Sequence, residues 1–354
     1  MSNIVYSSSP AFTSHKTANV YIQPNRYCNY SCSYCFPNSH TKVKDFVDTD
    51  KLYKTIDDLC EKFTDRGIEK IGWGWSGGEA TFHPDFLNFQ KRILSHTNLK
   101  HNFNMTSNIS HNLSWWKNFV EVTDGYELRN ISASLHQEFV DTPEKVEKFK
   151  EKIAYLKTAR DRKKFGVIIN QVMDMDLFDD QLETLEEIST TLGVSTRPKV
   201  NSVLLKEHRR FANTDGYDSA QMKIMSDVYQ KDTWRRRIQA IQISDEGEIT
   251  TFNDNEELKL NGFWSTLQDW NCTAGYLSVA IDRNVIKRGV GACRDQIIGT
   301  VGEDFDLHET PRVCGIRDKA VCSCVADLKL PKWKEEFDIK SFLEKEEHDP
   351  IGRK

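Results

Sequence analysis

Between residues 18 and 200 the sequence alternates two hydrophobic periodicities, and this alternation restricts the fold more than any other feature. Runs 18–23, 69–75, 101–105, 130–134, 165–173 and 194–200 are short, apolar and rich in β-branched or aromatic residues, the pattern of strands. Runs 49–63, 85–95, 113–120, 143–159 and 178–192 between them carry the spacing of amphipathic helices. The first helix shows it most clearly, with Leu52, Ile56, Leu59 and Phe63 on one face. Cys60 in that helix reads as a small buried hydrophobe. Trp73 and Trp75 share one strand face and read as packing against a helix. Strands and helices in this order predict βα units around a parallel sheet. Six strands suit a partial, TIM-like (βα)6 barrel rather than a closed eight-fold one. The expected class is α/β.

After about residue 205 the rhythm stops. The segment Lys206-Glu-His-Arg-Arg210 is a charge cluster, followed by a polar, linker-like stretch to Asp218. Hairpin-like pieces follow at 238–243 and 249–252, with Asp245-Glu-Gly-Glu248 as the turn. This composition predicts four segments: an N-terminal extension (1–17), the barrel (18–205), a smaller cysteine-rich α+β domain (206–335), and a charged tail with a surface helix (336–354).

Charged residues make up 29% of the 354 residues and the net charge is −5, so no basic excess points to nucleic acid or a membrane surface. No apolar run reaches membrane-spanning length, and residues 1–16 lack the apolar core of a signal peptide. Nine cysteines is an odd count for such a chain. Metal ligation in a reducing cytoplasm is the expected use of the clustered thiols, rather than disulfides.

The first cluster is Arg26-Tyr-Cys-Asn-Tyr-Ser-Cys-Ser-Tyr-Cys-Phe36, which places Cys28, Cys32 and Cys35 on one short loop after the first strand. An iron–sulfur cluster normally takes four thiolates, so three leave one iron open, as a catalytic site requires. A zinc loop is the alternative, but it needs a second ligand half. The chain offers no second C-x2-C, and its spaced histidine pair, His96 and His101, has no cysteine pair close by. Ser76-Gly-Gly-Glu79 ends the second strand, where two glycines let backbone approach a ligand. Met105-Thr-Ser-Asn108, Ile131-Ser-Ala-Ser-Leu-His136 and Val167-Ile-Ile-Asn-Gln-Val172 end the next three. Ligands of parallel α/β folds collect at these carboxyl ends.

The cysteine spacing, with Tyr34 before the last thiol, resembles the radical S-adenosylmethionine (SAM) superfamily. Gly77-Gly78-Glu79 resembles its GGE motif, although Ala80 stands where proline often follows. The resemblance spans roughly residues 18–200. It implies a [4Fe–4S] cluster on Cys28, Cys32 and Cys35 whose open iron is chelated by SAM. The methionine amino group would lie at Gly77, Gly78 and Glu79, the ribose or carboxylate at Thr106, Ser107 and Asn108. Ser134, His136 and Asn170 would line the rest of the SAM site. Reductive cleavage would yield a 5′-deoxyadenosyl radical that abstracts a substrate hydrogen, with a flavodoxin- or ferredoxin-type protein as electron donor. His136, near neutrality in pKa, is a candidate general acid or base, or else it hydrogen-bonds SAM.

The second cysteine set starts at Trp270-Asn-Cys-Thr-Ala-Gly-Tyr276, continues through a hairpin with Asn284 in its turn, and includes Cys272, Cys293, Cys314, Cys322 and Cys324. This order resembles the SPASM and twitch auxiliary-cluster domains and implies one auxiliary [4Fe–4S] cluster. Cys272 and Cys293 come first as ligands, completed by two of Cys314, Cys322 and Cys324; a structural zinc is the alternative. The barrel starts close to residue 1, without room for a leader-binding domain, so the expected substrate is a polar small molecule of sugar or nucleotide type. Lys206, Arg209 and Arg210 are candidates to meet an anionic substrate, against a merely solvated charge run. A ribosomally made peptide is the alternative substrate, and a non-catalytic zinc-binding module the alternative from another class.

Overall fold

The computed structural model describes residues 4–9, 16–35, 41–160, 165–199, 217–231, 240–252, 267, 269–290, 296–314, 322, 327 and 329–338. After β1 (Ile4–Ser8) come β2 (Thr17–Gln23), α1 (Thr49–Asp65), β3 (Lys70–Trp75), α2 (Phe86–Leu94), β4 (Lys100–Ser107) and α3 (Leu113–Val122). The series continues with β5 (Leu128–Ser134), α4 (Pro143–Arg160), β6 (Phe165–Val172), α5 (Phe178–Leu192) and β7 (Ser195–Lys199). Beyond it lie α6 (Ser219–Lys231), β8 (Ala240–Ser244), β9 (Ile249–Phe252), β10 (Asn271–Cys272) and β11 (Ser278–Asp282). The last strands are β12 (Val285–Lys287), β13 (Ile297–Thr300), β14 (Arg312–Val313) and β15 (Lys332–Trp333).

Strands β2 to β7 pair in parallel in sequence order, as the βα alternation predicts. Their side chains divide cleanly between two faces. Ile71, Trp73 and Trp75 of β3 point to the helices, where Trp75 meets Phe86 (5.1 Å) and Phe89 (6.1 Å) of α2. Helix α1 contributes Leu52, Ile56, Leu59, Cys60 and Phe63, each at most 1% exposed, to the same layer. Burying each large apolar side chain contributes about 1.5–3 kcal/mol. The helix starts cleanly because the Asp48 side chain accepts the Lys51 N–H at 2.9 Å. The opposite face of the sheet is polar. Asn130 donates to Asn104 (3.0 Å) and Asn170 to Ser132 (2.5 Å) across neighbouring strands, so this face is built for water or a ligand.

Two findings differ from the expected segmentation. The stretch 278–300, expected in the second domain, extends the first sheet instead. Strand β11 pairs parallel with β2 in register Ser278↔Asn19 to Asp282↔Gln23, and β12 and β13 follow antiparallel. The result is an open nine-stranded sheet, β13-β12-β11-β2-β3-β4-β5-β6-β7. The expected extension 1–17 is also no appendage. Its β1 lies inside a second, antiparallel sheet of order β14-β10-β15-β1-β8-β9. Edge availability decides both outcomes, since β2 offers an unpaired edge that a strand from any distance in sequence satisfies. In the β11–β12 turn it is Arg283, not Asn284, that takes the left-handed conformation (φ 54). The charge cluster 206–210 and the tail from 339 lie outside the described residues.

Candidate functional site

At the carboxyl ends of β2 to β6 the cysteine loop is clamped from several sides. Thr41 accepts the Cys28 N–H at 3.1 Å, and its own N–H donates to the Arg26 carbonyl at 2.8 Å. The Lys42 ammonium donates to the carbonyls of Cys28, Asn29 and Tyr30 at 3.0, 3.1 and 3.1 Å. Glu138 accepts both the backbone N–H of Ser33 (2.9 Å) and its hydroxyl. Tyr30 stacks on Phe139 with centroids 4.5 Å apart.

The glycine pair works differently from its sequence-level explanation. Gly77 (φ 123) and Gly78 lie against the backbone of the cysteine loop, and Gly78 also lines the cavity described below. A Cβ on Gly78 would sit 2.2 Å from the Tyr27 carbonyl oxygen and 2.5 Å from that of Arg26. A Cβ on Gly77 would meet the Asn25 oxygen at 2.5 Å. Absence of side chains lets the Gly78 N–H bond the Asn25 carbonyl (3.2 Å) and the Glu79 N–H bond that of Tyr27 (2.7 Å).

The Glu79 carboxylate is fully buried and already surrounded by donors. Oε1 accepts from the Thr81 hydroxyl (2.7 Å) and N–H (3.4 Å), and Oε2 from the Asn108 N–H (2.7 Å). The Ser107 hydroxyl donates as well. Burial pushes its pKa up and these hydrogen bonds oppose the shift. Glu79 thereby ties the end of β3 to the end of β4. Directly after Asn108, Ile109 adopts φ 55, an unusual conformation for a β-branched residue, held by a bond from its N–H to the Ser107 hydroxyl (3.1 Å). Backbone strain of this kind clusters at functional sites. It leaves the Asn108 side chain facing the loop, with Nδ2 2.8 Å from Asn29 Oδ1 and 3.9 Å from Cys28 Sγ.

These groups enclose a cavity of about 360 Å³, within the range of small-ligand sites. Cys28, Cys32 and Cys35 line it together with Gly78, Glu79, Thr106, Ser107 and Asn108. Ser134, His136 and Asn170 complete that wall, so of the site residues predicted around the first thiol set all but Gly77 face one space. Val172, from the segment expected at the fifth strand end, lines it too, as do Tyr30 and Lys199, which were not singled out from the sequence. Lys199 ends β7, where the strand-end rule already points. Burial, and secondarily Glu138, push the Cys32 thiol up to about 12, and burial raises Cys28 too. Ligation must therefore displace protons from these thiols. His136 is pulled down to about 4 by burial, so its imidazole is neutral. Its Nδ1 lies 2.9 Å from the Tyr34 hydroxyl and 3.3 Å from Cys32 Sγ. Asn170 Oδ1 is buried with no protein partner among the described residues, an acceptor left for a ligand.

The pair His96 and His101 is not a ligand pair. His96 contacts Asp57 at 2.8 Å, and His101 takes the Trp73 indole N–H (3.1 Å) and donates to the His96 carbonyl (3.0 Å). In the second sheet Cys272, Cys314 and Cys322 are all buried, whereas Cys293 and Cys324 lie outside the described residues. Lys332 is buried among these thiols. Burial works to lower its pKa, and the charges of Cys272, Cys322, Asp327 and Cys314 turn the net shift upward. Among the described residues no three His, Cys, Asp or Glu side chains converge tightly enough for a single metal ion.

No protein-family model and no curated protein matches the sequence. Solved structures do. anSMEcpe with bound AdoMet (S-adenosylmethionine) superposes with a TM-score of 0.50 at 14% identity, covering 82% of this chain and 80% of that one. With AdoMet and the Kp18Cys peptide the TM-score is 0.51 at 14% identity, over 83% and 81% of the two chains. With AdoMet and the Cp18Cys peptide it is 0.51 at 11% identity, over 82% and 78%. The fold is shared with anSMEcpe. At such identities the likeness is one of fold. No helix among the described residues is long and apolar enough to cross a membrane.

Proposed function

We propose that this chain is a radical SAM enzyme acting on a peptide. The observation that carries the proposal is the convergence of three cysteines and four strand-end segments on one 360 Å³ cavity. Three thiols on one wall and an orphaned acceptor, Asn170 Oδ1, on another fit a cluster with one open iron beside an organic ligand. Cys28, Cys32 and Cys35 would hold a [4Fe–4S] cluster, with SAM completing it. Together they would supply one-electron cleavage of SAM, the source of a 5′-deoxyadenosyl radical that would abstract a substrate hydrogen.

The chain's own residues bind, orient and fix charge. Lys42, Glu138 and the glycine pair hold the thiol loop in one geometry. Asn170 accepts a ligand hydrogen bond, and Thr106, Ser107, Asn108 and Ser134 supply the polar wall. Glu79 contributes negative charge next to a cationic ligand rather than a fresh hydrogen bond, because protein donors hold both its oxygens. His136, neutral and bonded to Tyr34, orients the loop instead of transferring protons.

The anSMEcpe structure with AdoMet and a peptide aligns with 83% of this chain, which supports a peptide over the sugar or nucleotide expected from the sequence. Cys272 and Cys293, completed by two of Cys314, Cys322 and Cys324, are proposed to hold one auxiliary cluster. A flavodoxin- or ferredoxin-type donor in a reducing cytoplasm completes the scheme. The test is anaerobic reconstitution with iron and sulfide followed by reduction with SAM. The native protein should form 5′-deoxyadenosine, and the Cys28→Ala/Cys32→Ala/Cys35→Ala variant should not. Product from the triple variant, or zinc in place of iron in the native protein, overturns the assignment.

A further inference from the structure

The antiparallel sheet buries a charge that the proposed reaction does not use. Lys332, on β15, is 1% exposed. Its ammonium donates to the backbone carbonyls of Asp327 and, at 3.2 Å, Leu330. Carbonyl oxygens orient an ammonium without neutralising it, and a buried cation without compensation is costly. On the neighbouring strand Cys272 stands opposite Lys332 in register. Cys272, Cys314 and Cys322 are 2%, 3% and 4% exposed, and all three lie within electrostatic reach of the ammonium. The acid close by, Asp327, accepts the Val290 N–H at 3.1 Å.

A lysine is an expensive choice for the middle of a sheet unless something anionic is assembled around it. Neutral thiols do not balance an ammonium, whereas thiolates bound to metal do. A cluster ligated by four thiolates keeps net negative charge in both its oxidised and reduced forms. We propose that Lys332 is the fixed counter-charge of the C-terminal thiol set, matching that site to a net-anionic iron–sulfur centre and raising its reduction potential. The idea rests on the auxiliary-cluster reading above and adds a residue role to it. A cation held beside the centre favours the state with one more electron, so removing it lowers the potential. The same charge couples metal loading to folding. Thiolates formed on loading add negative charge beside an ammonium that, among the described residues, Asp327 alone faces as a carboxylate before loading.

The experiment uses the full chain with Cys28, Cys32 and Cys35 replaced by alanine, so that only the second cluster reports. Lys332→Met removes the charge at similar volume, and Lys332→Arg retains it. After anaerobic reconstitution, the Lys332→Met protein should show a lower midpoint potential by EPR-monitored titration, with Lys332→Arg close to the parent. The Tm of the Lys332→Met protein should rise less on loading than that of its parent. Equal potentials and equal Tm gains with and without the charge overturn the proposal. Should Lys332→Met not fold, Lys332→Gln is measured in the same way. If the parent takes up zinc and no iron, the auxiliary-cluster reading fails, while the Tm comparison with zinc alone still decides the role of the lysine.

Discussion

Replacing Gly78 with alanine tests whether the cysteine loop is held by backbone-to-backbone contact. The new Cβ would lie 2.2 Å from the Tyr27 oxygen, 2.5 Å from the Arg26 oxygen and 2.6 Å from the Arg26 carbonyl carbon. None of these atoms belongs to a side chain that can rotate away. Ordinary van der Waals separation begins near 3.4 Å, so one strand end or the loop must move by about 1 Å. Overpacking of this kind costs about 1–3 kcal/mol, and immovable partners put Gly78 at the upper end. At an unfolding entropy of about 2.1 cal/mol/K per residue, 3 kcal/mol lowers the Tm of a single cooperative transition in 354 residues by about 4 °C. The functional loss should be larger, since a displacement of about 1 Å in a reacting constellation can cost 10²-fold. Differential scanning calorimetry gives the first number and 5′-deoxyadenosine formation the second. Gly125→Ala is the control, because its Cβ meets only Leu94 side-chain atoms, at 3.1–3.6 Å. If Gly78→Ala matches that control in both assays, the glycines are not there for the loop.

Glu79→Gln sets an amide donor among the Thr81 and Asn108 donors, and should cost about 1–3 kcal/mol of stability alongside weaker SAM binding. Unchanged Tm would show that the carboxylate does not tie β3 to β4. His136 titrates near 4 in the folded chain against 6.5 in the unfolded one, so the unfolded state takes the proton first as pH falls. Its contribution is complete above pH 6.5 and lost between there and about 4, on the order of 3 kcal/mol. In metal-free protein, the stability difference between native and His136→Phe should follow that window in urea titrations, and a difference constant with pH refutes the buried neutral imidazole.

The order β2 to β7 was legible because each strand and helix declares itself locally, by alternation in the sheet and by stripes such as Leu52, Ile56, Leu59 and Phe63. Site residues were legible for a related reason: parallel strands bring their carboxyl ends together, so polar residues at those ends must meet. What stayed hidden depends on partners far away in sequence. Nothing in Ile4-Val-Tyr-Ser-Ser8 says that it pairs with Ala240–Ser244 on one side and Trp333 on the other. Nothing in Ser278–Asp282 distinguishes a strand of its own domain from one that completes the edge of β2. The glycine pair was legible as a close approach, but the approach of its backbone to the Asn25, Arg26 and Tyr27 carbonyls was not. Lys42 and Glu138 clamp the loop through its main-chain groups, which carry no residue-specific signal.

The placement of β1 sets the order in which this molecule can be assembled during synthesis. Strand β1 leaves the ribosome well before its partners β8 and β15, which begin at residues 240 and 332. At about 5–20 residues per second the wait is on the order of tens of seconds. For most of that time the edge of β2, beside the loop that carries the first three thiols, is uncovered as well, since residues 278–282 close it. An open strand edge is a template for the wrong partner. The edge stays open until residues 278–282 have been made, so the flank of the thiol loop is among the last parts of the parallel sheet to be covered.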